Sequence, residues 1–102
     1  MRITIVARHC DVPEDLRASA HAQLARLGRL ATRPHHLHLT FGAEHGRFTV
    51  ELRLHTNRRQ VHVALADAAD HRSALDRAVA KVRRQLDKAP VRRARATVRG
   101  SL

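Results

Sequence analysis

The chain has no tryptophan and no tyrosine, and Phe41 and Phe48 are its whole aromatic complement. Stacking of unpaired bases on exposed rings, as on RNP-type sheets or OB-folds, therefore has no support. Cysteine occurs once, at Cys10, which excludes an internal disulfide and fits no ligand motif; a packed small side chain is the expectation there. Nucleophilic catalysis has no foothold, because Ser19, Ser73 and Ser101 fall in helix or tail contexts without a nucleophile elbow. No apolar run approaches the ~20 residues of a membrane span, and Met1-Arg2-Ile3 leads straight into an alternating segment rather than a signal-peptide stretch. A cytoplasmic protein without a membrane partner is expected. At 102 residues the chain has room for one modest core and not for separate catalytic and binding domains.

Acidic residues are also scarce. Nine Asp+Glu face twenty Lys+Arg, for a net charge of +11. The excess is uneven: residues 1–70 hold ten cations and seven anions, whereas residues 71–102 hold ten cations and two anions. A charge of this size points to nucleic acid, an acidic membrane surface or an acidic protein. Eighteen of the cations are arginine, which suits bidentate phosphate contacts and equally fits the codon bias of a GC-rich genome.

Arg2–Ala7 is β-branched and reads as a strand with Ile3 and Ile5 on one side. Asp11-Val12-Pro13-Glu14 reads as a helix start in capping-box spacing, and Leu16, Ala20, Leu24 and Leu27 form a buried stripe ending near Leu30. Three alternating segments follow. Leu37, Leu39 and Phe41 alternate with His36, His38 and Thr40; Phe48, Val50, Leu52 and Leu54 with Thr49, Glu51, Arg53 and His55; Val61, Val63 and Leu65 with Gln60, His62 and Ala64. The links Gly42 to Gly46 and Thr56 to Arg58 suit antiparallel hairpins, and period-2 alternation predicts a sheet covered on one face. A second helix is expected from His71, capped by Asp70, to Lys88, with Ala89-Pro90 stopping it. The fold class is therefore α+β, in the order β-α-β-β-β-α, with a four-stranded sheet and both helices on one face. Residues 1–90 form the domain and residues 91–102, with Arg92, Arg93, Arg95 and Arg99, read as a flexible basic tail.

In the second helix Arg77, Lys81, Arg84 and Lys88 recur at i, i+4, i+7 and i+11, nearly opposite Leu75, Val79, Val82 and Leu86. Such a stripe repels itself, with only Asp76 and Asp87 nearby, and a polyanion would relieve the repulsion. The competing reading is a solvated helix face.

The element order and two local patterns resemble the ribosome hibernation factor family, also called the ribosome-associated inhibitor or sigma-54 modulation family, in its short form. The stronger pattern runs from Asp70 through Ala74-Leu75-Asp76 to Ala80-Lys81-Val82-Arg83-Arg84-Gln85-Leu86-Asp87-Lys88; the weaker is Leu16-Arg17 followed by Leu24-Ala25-Arg26-Leu27. The resemblance spans residues 2 to 90. It implies a non-enzymatic translation inhibitor that binds the small ribosomal subunit and the 70S ribosome where messenger and transfer RNA would pass, needing no cofactor or small-molecule substrate. It carries Lys81, Arg84 and Lys88 over as 16S rRNA contacts, with Arg26 from the first helix. Arg77 joins them on helical position, and Arg92 and Arg93 on tail charge. The chain departs from the pattern at Gln23, where a lysine is usual, at Arg72, usually aromatic, and at Leu30-Ala31, often an aromatic pair. The long forms of the family append a dimerisation domain that this chain lacks, so it is not expected to pair ribosomes by that route; a monomer off the ribosome is expected.

Two other classes compete. A double-stranded-RNA module also sets helices on an antiparallel sheet but normally begins with the helix, and a generic basic nucleic-acid chaperone needs only the charge. A metal site would rest on His36, His38, His55 and His62, grouped by alternation on the open side of the sheet; a solvated sheet face is the simpler reading, and no metal is assigned.

Overall fold

The computed structural model describes residues 1–56 and 60–98, with side chains described through Asp87. Its elements run β1 (Arg2–Ala7), α1 (Glu14–Arg29), β2 (Pro34–Glu44), β3 (Arg47–Thr56), β4 (Val61–Ala68) and α2 (His71–Val98), the expected β-α-β-β-β-α order. The four strands lie in sequence order across one sheet. β1 pairs in parallel with β2, which requires α1 as the crossover, and the remaining neighbours are antiparallel. His45 and Gly46, both with positive φ (52° and 76°), close the β2–β3 hairpin between the paired Glu44 and Arg47, the twist that a two-residue turn between right-twisted strands demands.

The core forms where both helices meet one sheet face. Leu16, Ala20, Leu24 and Leu27 of α1 and Ala74, Leu75, Ala78, Val82 and Leu86 of α2 pack over Leu37, Leu39 and Phe41 of β2 and Val50, Leu52 and Leu54 of β3. Asp70 caps α2 as expected: its carboxylate accepts from the Ser73 backbone N–H at 2.7 Å and from the Ser73 hydroxyl at 3.1 Å. The backbone bond is the larger cause that holds the Asp70 carboxyl below its ordinary range.

Three expectations need correction. The capping box at Asp11 does not form: Pro13 is the N-cap of α1, its φ of −59° already helix-compatible, and no side chain caps that end. Pro90 does not stop α2, whose backbone continues to Val98. Pro90 forfeits one bond, to the Leu86 carbonyl, while the residues beyond it are mostly arginine and alanine, both strong helix formers. Residues 99–102 of the expected tail, and residues 57–59 of the expected β3–β4 turn, lie outside the described residues.

The third correction concerns β4. Leu52 pairs with Ala64, Val50 with Ala66 and Phe48 with Ala68, so the alanines lie beneath α2, with Ala64 4% and Ala68 2% exposed. Val61, Val63 and Leu65 point the other way, the last 63% exposed. His62 shares the alanines' side, so it is not part of the open histidine face. Period-2 alternation establishes two faces without saying which is covered; here the small side chains win, because a helix can come close over alanine.

Candidate nucleic-acid interface

The buried arc of α2 is wider than the aliphatic stripe suggests. Ala74 and Ala78 extend it towards β4, so the arc's centre lies roughly 120° around the helix from the stripe of Arg77, Lys81, Arg84 and Lys88, rather than opposite it. The stripe therefore flanks the sheet edge. Arg77 Nη1 donates to the Asp67 carbonyl at 2.8 Å, Lys81 Nζ to the Leu65 carbonyl at 2.6 Å, and Gln85 Nε2 to the Val63 carbonyl at 2.9 Å. Four residues of helix rise about 6 Å and two residues of strand about 6.6 Å, so the repeats stay in step over three contacts. The three side chains cover outward carbonyls of β4, the edge strand, which would otherwise template pairing with another chain. Gln85 Oε1 also accepts from His62 Nδ1 at 3.3 Å.

Arg77 and Lys81 thus have a structural task that sequence alone did not reveal. Each spends one donor of its five or three, keeps its full charge, and stays exposed. Arg84 is exposed and makes no such contact. The side chains of Lys88, Arg92 and Arg93 lie outside the described residues.

On the opposite flank of α2, the helices enclose a shallow groove of about 400 Å³ lined by Gln23, Arg26, Leu27, Arg29, Leu30, Val79 and Arg83. The last turn of α1 supplies Arg26 and Arg29, where cations also complement the helix C-terminus. Arg83 comes from α2 four residues after Val79. Arg26 was expected from the sequence; Arg29 and Arg83 were missed, because the signal is a convergence of two helices rather than a spacing within one. Arg17, in contrast, is structural: its Nη1 donates to the Ile5 carbonyl at 3.1 Å and ties α1 to β1.

Charge partners are distributed to match. Among the described residues, all three contacts between basic and acidic side chains lie on the hairpin and the open sheet: His45–Glu44 at 3.7 Å, Arg47–Asp67 at 3.6 Å and Arg53–Glu51 at 2.8 Å. None engages an arginine or lysine of either helix. The helix side therefore presents Arg26, Arg29, Arg72, Arg77, Lys81, Arg83 and Arg84 without ion pairing among those residues, an arrangement that attracts phosphate by counterion release.

Elsewhere His71 and Cys10 are put to packing use. His71, 7% exposed, donates from Nε2 to the Gly42 carbonyl at 2.8 Å and meets Phe41 and Phe48 edge-on at 5.1 and 4.7 Å. Cys10 packs beside it, its thiol 3.6 Å from the Phe41 carbonyl. Among the described residues no three His, Cys, Asp or Glu side chains are placed to hold a metal ion, and no helix is long and apolar enough to cross a membrane.

The family model described as sigma-54 modulation protein / S30EA ribosomal protein matches residues 3–94. Among solved structures, a ribosomal subunit interface protein from Coxiella burnetii is 19% identical, with 89% of this chain and 99% of that one covered and a TM-score of 0.78. The N-terminal domain of Thermus thermophilus Protein Y is 21% identical, with 86% and 98% covered and a TM-score of 0.75. Both establish likeness of fold. No curated protein matches the chain.

Proposed function

This chain belongs to the sigma-54 modulation protein / S30EA ribosomal protein family, a ribosome-associated family, and on that premise we propose that it is a hibernation factor that blocks the mRNA/tRNA channel of the small subunit by laying its helix face against 16S rRNA. The observation that carries this reading is the grouping of Arg26, Arg29 and Arg83 around the inter-helix groove, with no ion pair to either helix's cations among the described residues. The cations mark the face and the family supplies the partner.

The chemistry is electrostatic and steric. Each phosphate that meets a cation releases condensed counterions, so affinity falls with salt by a slope of roughly −0.7 to −0.9 per contact. Arg26, Arg29 and Arg83 form the centre of the interface, Arg77, Lys81 and Arg84 its β4 flank, and Lys88, Arg92 and Arg93 extend it along α2. Without exposed Trp or Tyr, recognition is of folded RNA by shape and phosphate. Inhibition needs only occupancy; no bond is made or broken, and no cofactor is called for. The protein acts in the cytoplasm as a monomer when off the ribosome.

The test is co-sedimentation of the purified protein with 30S, 50S and 70S particles at low and raised salt, with free double-stranded RNA as competitor. Binding to 30S and 70S that resists the competitor supports the reading. Binding that the competitor removes leaves a general double-stranded-RNA module or nucleic-acid chaperone instead.

A further inference from the structure

The sheet face away from the helices carries a cluster that the interface above does not use. Its side chains come from four strands. β1 contributes Arg2, Thr4 and Val6; β2 contributes His36 and His38; β3 contributes Glu51, Arg53 and His55; β4 contributes Val61, Val63, Leu65 and Asp67, the last paired with Arg47 at 3.6 Å. Register fixes their order, with Arg2 beside His36, Thr4 beside His38, His36 beside His55 and His38 beside Arg53. The His36 and His38 rings stack with centroids 5.8 Å apart and planes 6° from parallel, and His36 and His55 lie 6.1 Å apart at 25°.

We propose that this histidine ladder, flanked by Arg2 and Arg53, is a second RNA-binding site that grips backbone phosphates as its imidazoles protonate. It rests on the RNA-binding reading above and adds a second contact surface, on the opposite side of the molecule, with its own pH dependence.

The electrostatics carry the argument. Glu51 is the one carboxylate among the ladder's neighbours, and it is engaged by Arg53 through Nε at 3.0 Å and Nη2 at 2.8 Å. That leaves Arg2, and Arg8 beside His38, as the uncompensated charges when the imidazoles are neutral, and these two plus three imidazolium groups when they are protonated. Parallel rings do not converge their nitrogens on one point, which suits a row of anionic oxygens rather than a single metal ion. The His36 ring nitrogen Nε2 lies 2.9 Å from the Thr4 hydroxyl, which orients the ring towards β1. Desolvation first, and then Arg2, His38, His55 and His35, hold the His36 pKa below its ordinary value. A bound phosphate reverses the like-charge part of that effect, so RNA and protons bind cooperatively.

The linkage sets the size of the effect. An upward shift of about a third of a pKa unit in each of three imidazoles on binding amounts to one unit in all, or roughly a tenfold gain in affinity once all are protonated. Three added contacts also steepen the salt slope by about 2.

The experiment measures binding of a short RNA hairpin carrying a pH-insensitive cyanine label between pH 8 and pH 6 at constant ionic strength. Three proteins are compared: wild type, the triple variant His36→Gln, His38→Gln, His55→Gln, and the helix variant Arg83→Glu, Arg84→Glu. Wild type should gain about fivefold on acidification to pH 6, where protonation is incomplete, and the triple variant should keep the pH 8 affinity and lose the gain. The proposal is overturned if the triple variant gains as much as wild type, or if wild type gains nothing. A helix variant that binds like wild type at pH 8 refutes the helix interface instead, so the two failures are distinguishable. NMR titration of the wild-type imidazoles gives a readout independent of variant folding: RNA should raise the pKa of all three, and unmoved values overturn the site.

Discussion

The inverted polarity of β4 makes the sharpest prediction, because the two possible orientations of that strand assign opposite costs to the same two substitutions. Leu65 is 63% exposed on the open face. Full burial of a leucine contributes about 1.5–3 kcal/mol, and only about a third of this side chain is out of water, so Leu65→Ala should cost about 0.5–1 kcal/mol. Ala64 is 4% exposed beneath α2, opposite Leu52 in the neighbouring strand. There Ala64→Leu inserts volume with no space to receive it and should cost about 1–3 kcal/mol. Were the larger side chains buried instead, Leu65→Ala would open a cavity worth about 2–5 kcal/mol, and Ala64→Leu would change stability by no more than about 0.5 kcal/mol. Urea unfolding, followed by far-UV circular dichroism, separates the cases, and thermal midpoints should move by about 4–8 °C per kcal/mol in a domain of this size. A Leu65→Ala loss above about 2 kcal/mol together with a neutral Ala64→Leu would refute the register argument.

Further predictions concern the helix, the hairpin and pH. Lys81→Met removes the donor to the Leu65 carbonyl; because that carbonyl can be rehydrated at an exposed edge, stability should fall by only about 0.5–1 kcal/mol, and exchange of the β4 amides should quicken. Arg83→Glu with Arg84→Glu should leave the circular dichroism spectrum unchanged and abolish co-sedimentation with 30S particles; retained binding would remove the helix interface from consideration. Gly46→Val, at φ 76°, places a β-branched residue in the left-handed region and should cost about 1–3 kcal/mol in urea unfolding. His36 has a folded-state pKa below its unfolded value, so it binds fewer protons folded than unfolded; the stability it contributes is complete above about pH 6.5 and declines as pH falls towards the folded value. His36→Gln should flatten that part of the acid limb, and an unchanged limb would count against the effect.

The course of the chain was readable residue by residue where a pattern belongs to one element. The apolar stripe of α1, the alternation in β2 and β3 and the Asp70 cap all depend on neighbours within a few positions, and all recur in the fold. Element order then left few ways to arrange four strands and two helices. The family resemblance rested on the same local signals in α2, and the family match covers residues 3–94. The helix-2 cations were legible as charges on a helix, and Arg26 as a charge near the end of α1.

What depended on tertiary structure was everything decided by which neighbour an element meets. Alternation marked two faces of β4, but only its register against β3 put Ala64 and Ala68 beneath α2 and left Val63 and Leu65 in water. The spacing of Arg77, Lys81 and Gln85 is local, yet their bonds to three carbonyls of β4 exist only because α2 runs along that edge. Arg29 and Arg83 lie 54 positions apart in sequence and meet in one groove; His36 and His55 are likewise joined by strand pairing. Local propensities specify what each segment becomes, since they act through bonds and packing within a turn or two of chain. Sites assembled from several segments follow from register and helix placement, which only burial of the shared core resolves.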